Sequence, residues 1–281
     1  MATFHAWLST LPRETLRMAA WLVLLMVIFV PLERLWGLHR QKILRKHFLA
    51  DVGFYFLSSL LPSLLLVLPL SLVAGMVHRL APLAFYTWVA TIPFTLRQGI
   101  ALIVAEIGTY WAHRLSHQVP FLWRFHAIHH DAEELDWLVH TRAHPVDMFF
   151  TRLCGLVPVY LLGLAQPASQ ASGGMDPVPY AVIFLTTVWG FFIHANIRWR
   201  LGLMENVLAS PRFHHWHHTS DNPAVINKNY AANFPWIDRC FHSFYLPAKQ
   251  WPRGYGIRPG EPAPVRTTTV EGMVAEATPA T

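Results

Sequence analysis

The sequence predicts an all-α, polytopic membrane protein whose spans carry a helical, histidine-rich cap. Three observations carry that expectation. Of the 281 residues, 53% are hydrophobic and only 14% are charged, against about 25% charged in an ordinary soluble domain. Several uninterrupted apolar runs approach the about 20 residues that a helix needs to cross a bilayer. Finally, 12 of the 17 histidines fall between His113 and His218.

The first span is read at Met18 to Leu32, flanked by Arg17, Glu33 and Arg34. The run is short, and Arg17 extends it by snorkelling. A secretory leader is the competing reading, but no small-residue cleavage site follows Pro31-Leu32-Glu33-Arg34, so a retained span is expected. Glu33 to Asp51 then reads as a polar loop with Arg34, Arg40, Lys42, Arg45 and Lys46. Val52 to Val77 is a second span without a charged side chain. Leu83 to Trp111, apolar apart from Arg97, Gln98 and Glu106, is too long for one straight crossing and short for two. It reads as one broken or tilted helix that runs out of the bilayer. Asp147 to Ala165 and Val178 to Ile193 form a hairpin whose connecting loop has no Lys or Arg. The expected division is membrane anchor over 1–105, histidine-box domain over 106–245 with the hairpin at 147–193, and a tail over 246–281, disordered after about Gly254.

The net charge of +6 has no basic stripe on a polar domain to suit nucleic acid. It reads instead as the Lys/Arg excess of cytoplasmic loops. Placing Arg34 to Lys46 in the cytoplasm puts the Arg79 turn and the Gln166 to Pro177 loop outside. It brings Arg114, Arg124, Arg142, Arg198, Arg200 and Arg212 inside. Every clustered histidine then lies on the cytoplasmic face. Two cysteines, Cys154 and Cys240, allow neither a disulfide framework nor a CxxC knuckle.

The chemistry lies in four segments. His113 and His117 are spaced i,i+4 and share a helix face, a stripe that Glu106 and Tyr110 extend. His126, His129 and His130 make an HxxHH box, and adjacent His129 and His130 diverge by about 100° on a helix, enough to serve two metals. His194 ends the last span. His214, His217 and His218 repeat HxxHH, with His215 at the variable position. A lone histidine here is a polar tip at the bilayer surface, the reading given to His5, His39, His47 and His78. Eight imidazoles in three boxes would lose solvation and repel when protonated unless something bound them. Metal is the economical answer, and so many ligands imply two ions. HExxH is absent, as are thiolate clusters and carboxylate-bridging ExxH pairs. Imidazole sites suit Zn, Cu, Fe and Ni.

The ordered set resembles the fatty acid hydroxylase/sterol desaturase superfamily of membrane histidine-box di-iron enzymes, from about Glu106 to Tyr245. The flanking residues take part: Tyr110-Trp111, Arg142-Ala143-His144-Pro145, Asn196, Ser210-Pro211-Arg212-Phe213, Asn229-Tyr230 and Asp238-Arg239. Ala231 and His242 stand where the superfamily usually has glycine. The resemblance implies a membrane anchor with a cytosolic dimetal cap. It further implies two iron ions, replaceable by zinc on purification, and O₂ as co-substrate in attack on an unactivated C–H bond of a lipid. The ligand set it implies is His113, His117, His126, His129, His130, His194, His214, His217 and His218. His144 is a weaker candidate, and His140 and His215 weaker still. Asp131, Asp147 and Asp221 are candidate acceptors for ring N–H groups. With no GxGxxG motif and no haem domain, electrons are expected from a separate cytochrome b5, ferredoxin or reductase. Two other classes compete: a membrane carrier of zinc or iron, which should place ligands within its spans, and a haem-binding membrane cytochrome.

Overall fold

A computed structural model describes residues 2–80, 82–165, 177–221, 225–248 and 250–257. Among them the regular elements are helical. Helix α1 runs Ala2–Trp36 and α2 Phe48–Leu80. Helix α3 (Leu83–Thr91) and α4 (Phe94–Gln118) meet at a bend of 110°. Pro93 explains the break: it disfavours helical geometry at Ile92, which is extended at φ −65°, ψ 128°. Then follow α5 (Pro120–His130), a 3₁₀ helix (Trp137–Thr141), α6 (Pro145–Leu161) and α7 (Pro177–His194). A second 3₁₀ helix (Gly202–Asn206), α8 (Pro211–His217) and α9 (Pro235–Cys240) follow among the described residues. Helices α6 and α7 occupy the two segments expected to pair as a hairpin, but each packs on α4 rather than extensively on the other; most of the connecting loop lies outside the described residues.

Among the described residues, three helices are long and apolar enough to cross a membrane: Thr10–Trp36, Phe48–Val77 and Pro177–His194, with α3–α4 a fourth if the bent pair counts as one span. The 27 residues of the first rise about 40 Å, more than the about 30 Å of a hydrocarbon core. Leucines and valines such as Val27, Leu68 and Leu72 stay exposed on the outer faces of α1 and α2.

The loop expected at Glu33 to Asp51 is shorter in the structure. Helix α1 continues to Trp36 because the Glu33 carboxylate is engaged: it accepts from the Trp137 and Asn196 N–H groups, both at 2.9 Å. Asp51 lies in the first turn of α2. Arg45 is buried, paired with Asp51 at 2.7 Å and with Asp136 at 2.7 Å. Asp136 also caps the 3₁₀ helix, accepting from Leu138 and Val139 N–H. The start of α2 is thereby fastened to the segment behind the second histidine box. At the start of the tail, Tyr255 is held against His39 and His215; the expectation of disorder after about Gly254 falls mainly on the residues beyond. Residues 258–281 lie outside the described residues.

Helix α4 packs most extensively on α6. Gly108 makes this close: a Cβ there would sit 2.1 Å from the Cys154 carbonyl oxygen. The C-terminal ends of α1, α4 and α7 and the N-terminal ends of α2 and α6 gather at one end. Residues just past α1 pair with residues just past α7, through the Gly37–Ile197 bridge and the Arg198 N–H to the Trp36 carbonyl at 2.9 Å. Phe29, Trp137 and Phe191 pack beneath this junction.

Candidate metal centre

Four helices converge on the centre, each delivering a box by its own spacing. Helix α4 delivers His113 and His117 near its last turn. Helix α5, started by Pro120 where a missing N–H costs nothing, delivers His126, His129 and His130. Helix α7 ends on His194. Helix α8, with Ser210 capping through its hydroxyl and Pro211 in its first turn, delivers His214 and His217, with His218 as C-cap.

The nine rings form two groups. His113, His117, His126, His130 and His217 make one; His129, His194, His214 and His218 make the other. Within each group one nitrogen per ring lies within 4.8 Å of the others, and all nine residues are buried except for His113, which is half-buried. The neighbours His129 and His130 go to different groups, and so do His217 and His218, as the divergence of adjacent side chains on a helix requires. The groups adjoin: the His130 and His218 rings stack at 4.5 Å between centroids.

The hydrogen bonds decide which nitrogen faces inward. His113 donates Nδ1–H to the Tyr230 carbonyl at 2.7 Å and His217 to that of Lys228 at 2.8 Å. His129 donates to the Arg142 carbonyl at 3.2 Å and His194 to that of Gly190 at 2.7 Å. His126 donates Nδ1–H to the Asp147 carboxylate at 3.0 Å. A carbonyl only accepts, so these Nδ1 atoms carry the proton and each Nε2 presents a lone pair. The Nε2 atoms of His129 and His194 lie 3.1 Å apart, and those of His194 and His214 3.0 Å. The first of these contacts sets two lone pairs face to face. The Nε2 atoms of His113 and His217 and both ring nitrogens of His117 are buried without a hydrogen-bond partner among the described residues. Such an orphan costs about 1–3 kcal/mol.

Protons do not relieve this. Burial, then the neighbouring imidazoles, hold His130, His214 and His218 well below the ordinary histidine range. Burial does the same for His129 and His217. Neutral rings with converging lone pairs are the form that binds metal, and the two groups can each hold an ion.

The remaining candidates lie outside both groups. His144 is the N-cap of α6, its Nδ1 accepting from Val146 N–H at 3.1 Å. His140 faces Phe191 and lies 5.3 Å from the His194 ring. His215 points away, its ring bonded to the Ala195 carbonyl at 3.1 Å and the Tyr255 hydroxyl at 2.8 Å. Of the three acids, Asp147 reaches a box histidine. Asp131 lies 3.8 Å from Arg142, and Asp221 accepts from the Arg253 N–H at 2.6 Å. Sequence reasoning missed the backbone acceptors and what holds them. Asp238, buried and pushed up to about 6 by that burial, accepts from the Tyr230 and Ala231 N–H groups at 2.8 and 2.9 Å. It thereby fixes the Tyr230 carbonyl that orients His113. Asn229, left-handed at φ 60°, ties the third box to the C-terminal segment through Phe213 and Tyr245. The Asn229-Tyr230 and Asp238-Arg239 motifs were the available signal.

Comparison with known proteins gives a consistent result. The family model for fatty acid hydroxylases matches residues 99–243, which contain all nine rings. The chain is 34% identical over 171 residues to an ornithine lipid hydroxylase of Rhizobium tropici, covering 60% of this chain and 48% of that protein. It is 31% identical over 146 residues to an alkylglycerol monooxygenase of Danio rerio (52% and 30%). It is 29% identical over 157 residues to a Delta(7)-sterol 5(6)-desaturase of Aspergillus fumigatus (50% and 46%). The matched part is less than half the length of each of these relatives. No solved structure matches.

Proposed function

Because this chain belongs to the fatty acid hydroxylase family, we propose that it is a membrane-bound, O₂-dependent di-iron oxidoreductase that hydroxylates or desaturates a lipid, of sterol or fatty acyl type. The observation that carries the reading is the pair of histidine groups with lone pairs converging in a buried space. The nine rings are proposed as ligands of two iron ions, zinc being able to replace iron on purification. Two bound iron ions supply the activation of O₂ that lets an unactivated C–H bond be broken. Hydroxylation consumes O₂, two electrons and two protons per lipid and yields the alcohol and one water; desaturation yields the alkene and two waters. The electrons come from a separate donor of cytochrome b5, ferredoxin or reductase type.

The protein's own part is to hold and aim. Tyr230, Lys228, Arg142 and Gly190 carbonyls lock four rings in one tautomer, and Asp147 orients His126. A cavity of about 180 Å³ between α4, α6 and α7 opens onto His113, His126, His129, His194 and His214 and receives the lipid. A carrier or cytochrome reading gains nothing from this arrangement, with ligands crowded at one end of the spans. The Lys/Arg distribution argues for the cytoplasmic face. Cysteine labelling near Gln118 and at Gly173 tests that orientation; equal labelling from one side refutes it.

The enzymatic reading is tested by expressing the full chain with an electron-donor system, counting metal per chain and comparing the lipids of cells with and without it. Two ions per chain and a lipid that gains one oxygen, or loses two hydrogens, are expected. Reproducibly one ion or none after gentle extraction, or an unchanged lipid profile, counts against it.

A further inference from the structure

The cavity beside the histidine groups holds a charge that the metal centre does not use. Its α7 wall runs from His194 back to Ile183, about 16 Å of helix. Its α6 wall is formed by Asp147, Met148, Thr151 and Arg152, the i, i+1, i+4 and i+5 positions of one broad face. Asp147 faces His126. Arg152 lies five residues further, about 7.5 Å along the helix axis. Arg152 is half-buried, and no group among the described residues accepts from its guanidinium or pairs with it. Two carboxylates line the same cavity, and both are engaged. Glu106 accepts from the Asn233 backbone and side-chain N–H groups, and Asp147 from His126 and Ser116. The His140 ring also lines the cavity and likewise has no hydrogen-bond partner among the described residues. It lies so close to α7 that a Cβ on Gly190 would be 2.2 Å from its Cε1 atom. An unpaired cation on the wall of a largely apolar cavity is costly to hold, and such residues mark ligand sites.

We infer that Arg152, with the His140 ring beside it, forms an anion-holding subsite in this cavity. The ligand is then an amphiphile whose carboxylate or phosphate sits about a turn and a half of helix from the histidine groups. The inference rests on reading the cavity as the lipid site. Its consequence is regiochemical. The attacked carbon lies within a few bonds of the anionic group, not at the far end of an acyl chain, and a neutral sterol leaves Arg152 unpaired. No metal chemistry is assigned to Arg152: it acts by placing the lipid.

The test uses the full chain in phosphatidylcholine nanodiscs and three probes with the same tail: palmitate, hexadecyl phosphate and hexadecanol. Affinities are measured by equilibrium dialysis for the wild type, R152Q and R152K, with metal content determined on the same samples. The wild type should bind palmitate or hexadecyl phosphate about 10- to 100-fold more tightly than the alcohol, the worth of one charge-assisted hydrogen-bonded pair. Which anion is preferred distinguishes a carboxylate substrate from a phosphate one. R152Q should remove the preference, and R152K should keep much of it. The inference is overturned by equal wild-type affinities, by no binding of any probe, or by a preference that survives R152Q. The wild-type comparison decides even if R152Q fails to fold. Two metals per chain without charge preference would remove only the role of Arg152. Charge preference without metal would remove the di-iron reading and leave the subsite.

Discussion

Changing His217 or His215 to alanine separates metal ligation from structural support. The two rings lie in the same box, two residues apart. His217 offers an unpartnered Nε2 to a five-ring group and is held from behind by the Lys228 carbonyl. Its removal deletes a ligand and the group's link to α8. The loss of metal affinity should exceed the 10- to 100-fold typical of an outer-shell partner. His215 is also fully buried, but both its nitrogens are spoken for by Ala195 and Tyr255. Truncating it forfeits two hydrogen bonds and leaves a cavity, a cost of about 2–5 kcal/mol by analogy with other buried large-to-small changes. H215A should therefore melt earlier yet, in its folded fraction, bind metal as the wild type does. H217A should lose metal and turnover. Metal analysis, thermal melts and product formation on the purified variants are the assay. If folded H215A loses metal as fully as H217A, the register of the third box is wrong and the ligand set must be redrawn around His214 and His215.

Asp147→Asn keeps the shape but weakens the acceptor of His126 Nδ1–H, so metal affinity should fall about 10- to 100-fold; an unchanged dissociation constant in chelator competition refutes the role. His242→Gly should raise stability by up to about 1 kcal/mol. The exposed His242 has φ 58°, and relief of left-handed strain outweighs the entropy that glycine adds to the unfolded chain; a lower melting temperature refutes it. Stability of the metal-free protein should fall on acidification below pH 6.5. Burial holds His215 at about 3 and His140 at about 4. Between those values and 6.5 the unfolded chain binds protons that the folded one does not. Each ring then costs about 1.4 kcal/mol per pH unit. Denaturant titrations at pH 7, 6 and 5 check this, and a flat profile would sink it.

The boxes were legible because helical geometry is regular. Spacing alone placed His113 with His117 and sent His129 and His130 to different sides, and the nine rings gather in two groups accordingly. Residue class served equally well for the long apolar helices, three of which among the described residues have the length and composition to cross a membrane. The limits of the elements were less legible. Glu33 and Arg45 look like loop charges in a linear reading. They are engaged because Trp137, Asn196 and Asp136, distant in sequence, come to meet them, with Asp51 at the start of α2 completing the Arg45 pair. His215 could be set aside by its angle on the helix, but nothing local announced that Tyr255, in a segment expected to be disordered, would hold it.

What orients the centre is mostly backbone, and backbone carbonyls have no residue type to read. Four box histidines are locked by carbonyls of Tyr230, Lys228, Arg142 and Gly190. Three of these lie in loops or just past a short helix, so their positions must be imposed by other contacts. Asp238 grips the Tyr230 turn, Asn229 bridges Phe213 and Tyr245, and Arg142 lies 3.5 Å from the buried Asp51. The Arg142 contact joins elements distant in the chain, while the other two close loops of eight and 16 residues. The polar residues flanking the boxes therefore serve the centre without facing it. A change at Asp238 should disturb His113 through the Tyr230 carbonyl even though no metal ligand is altered.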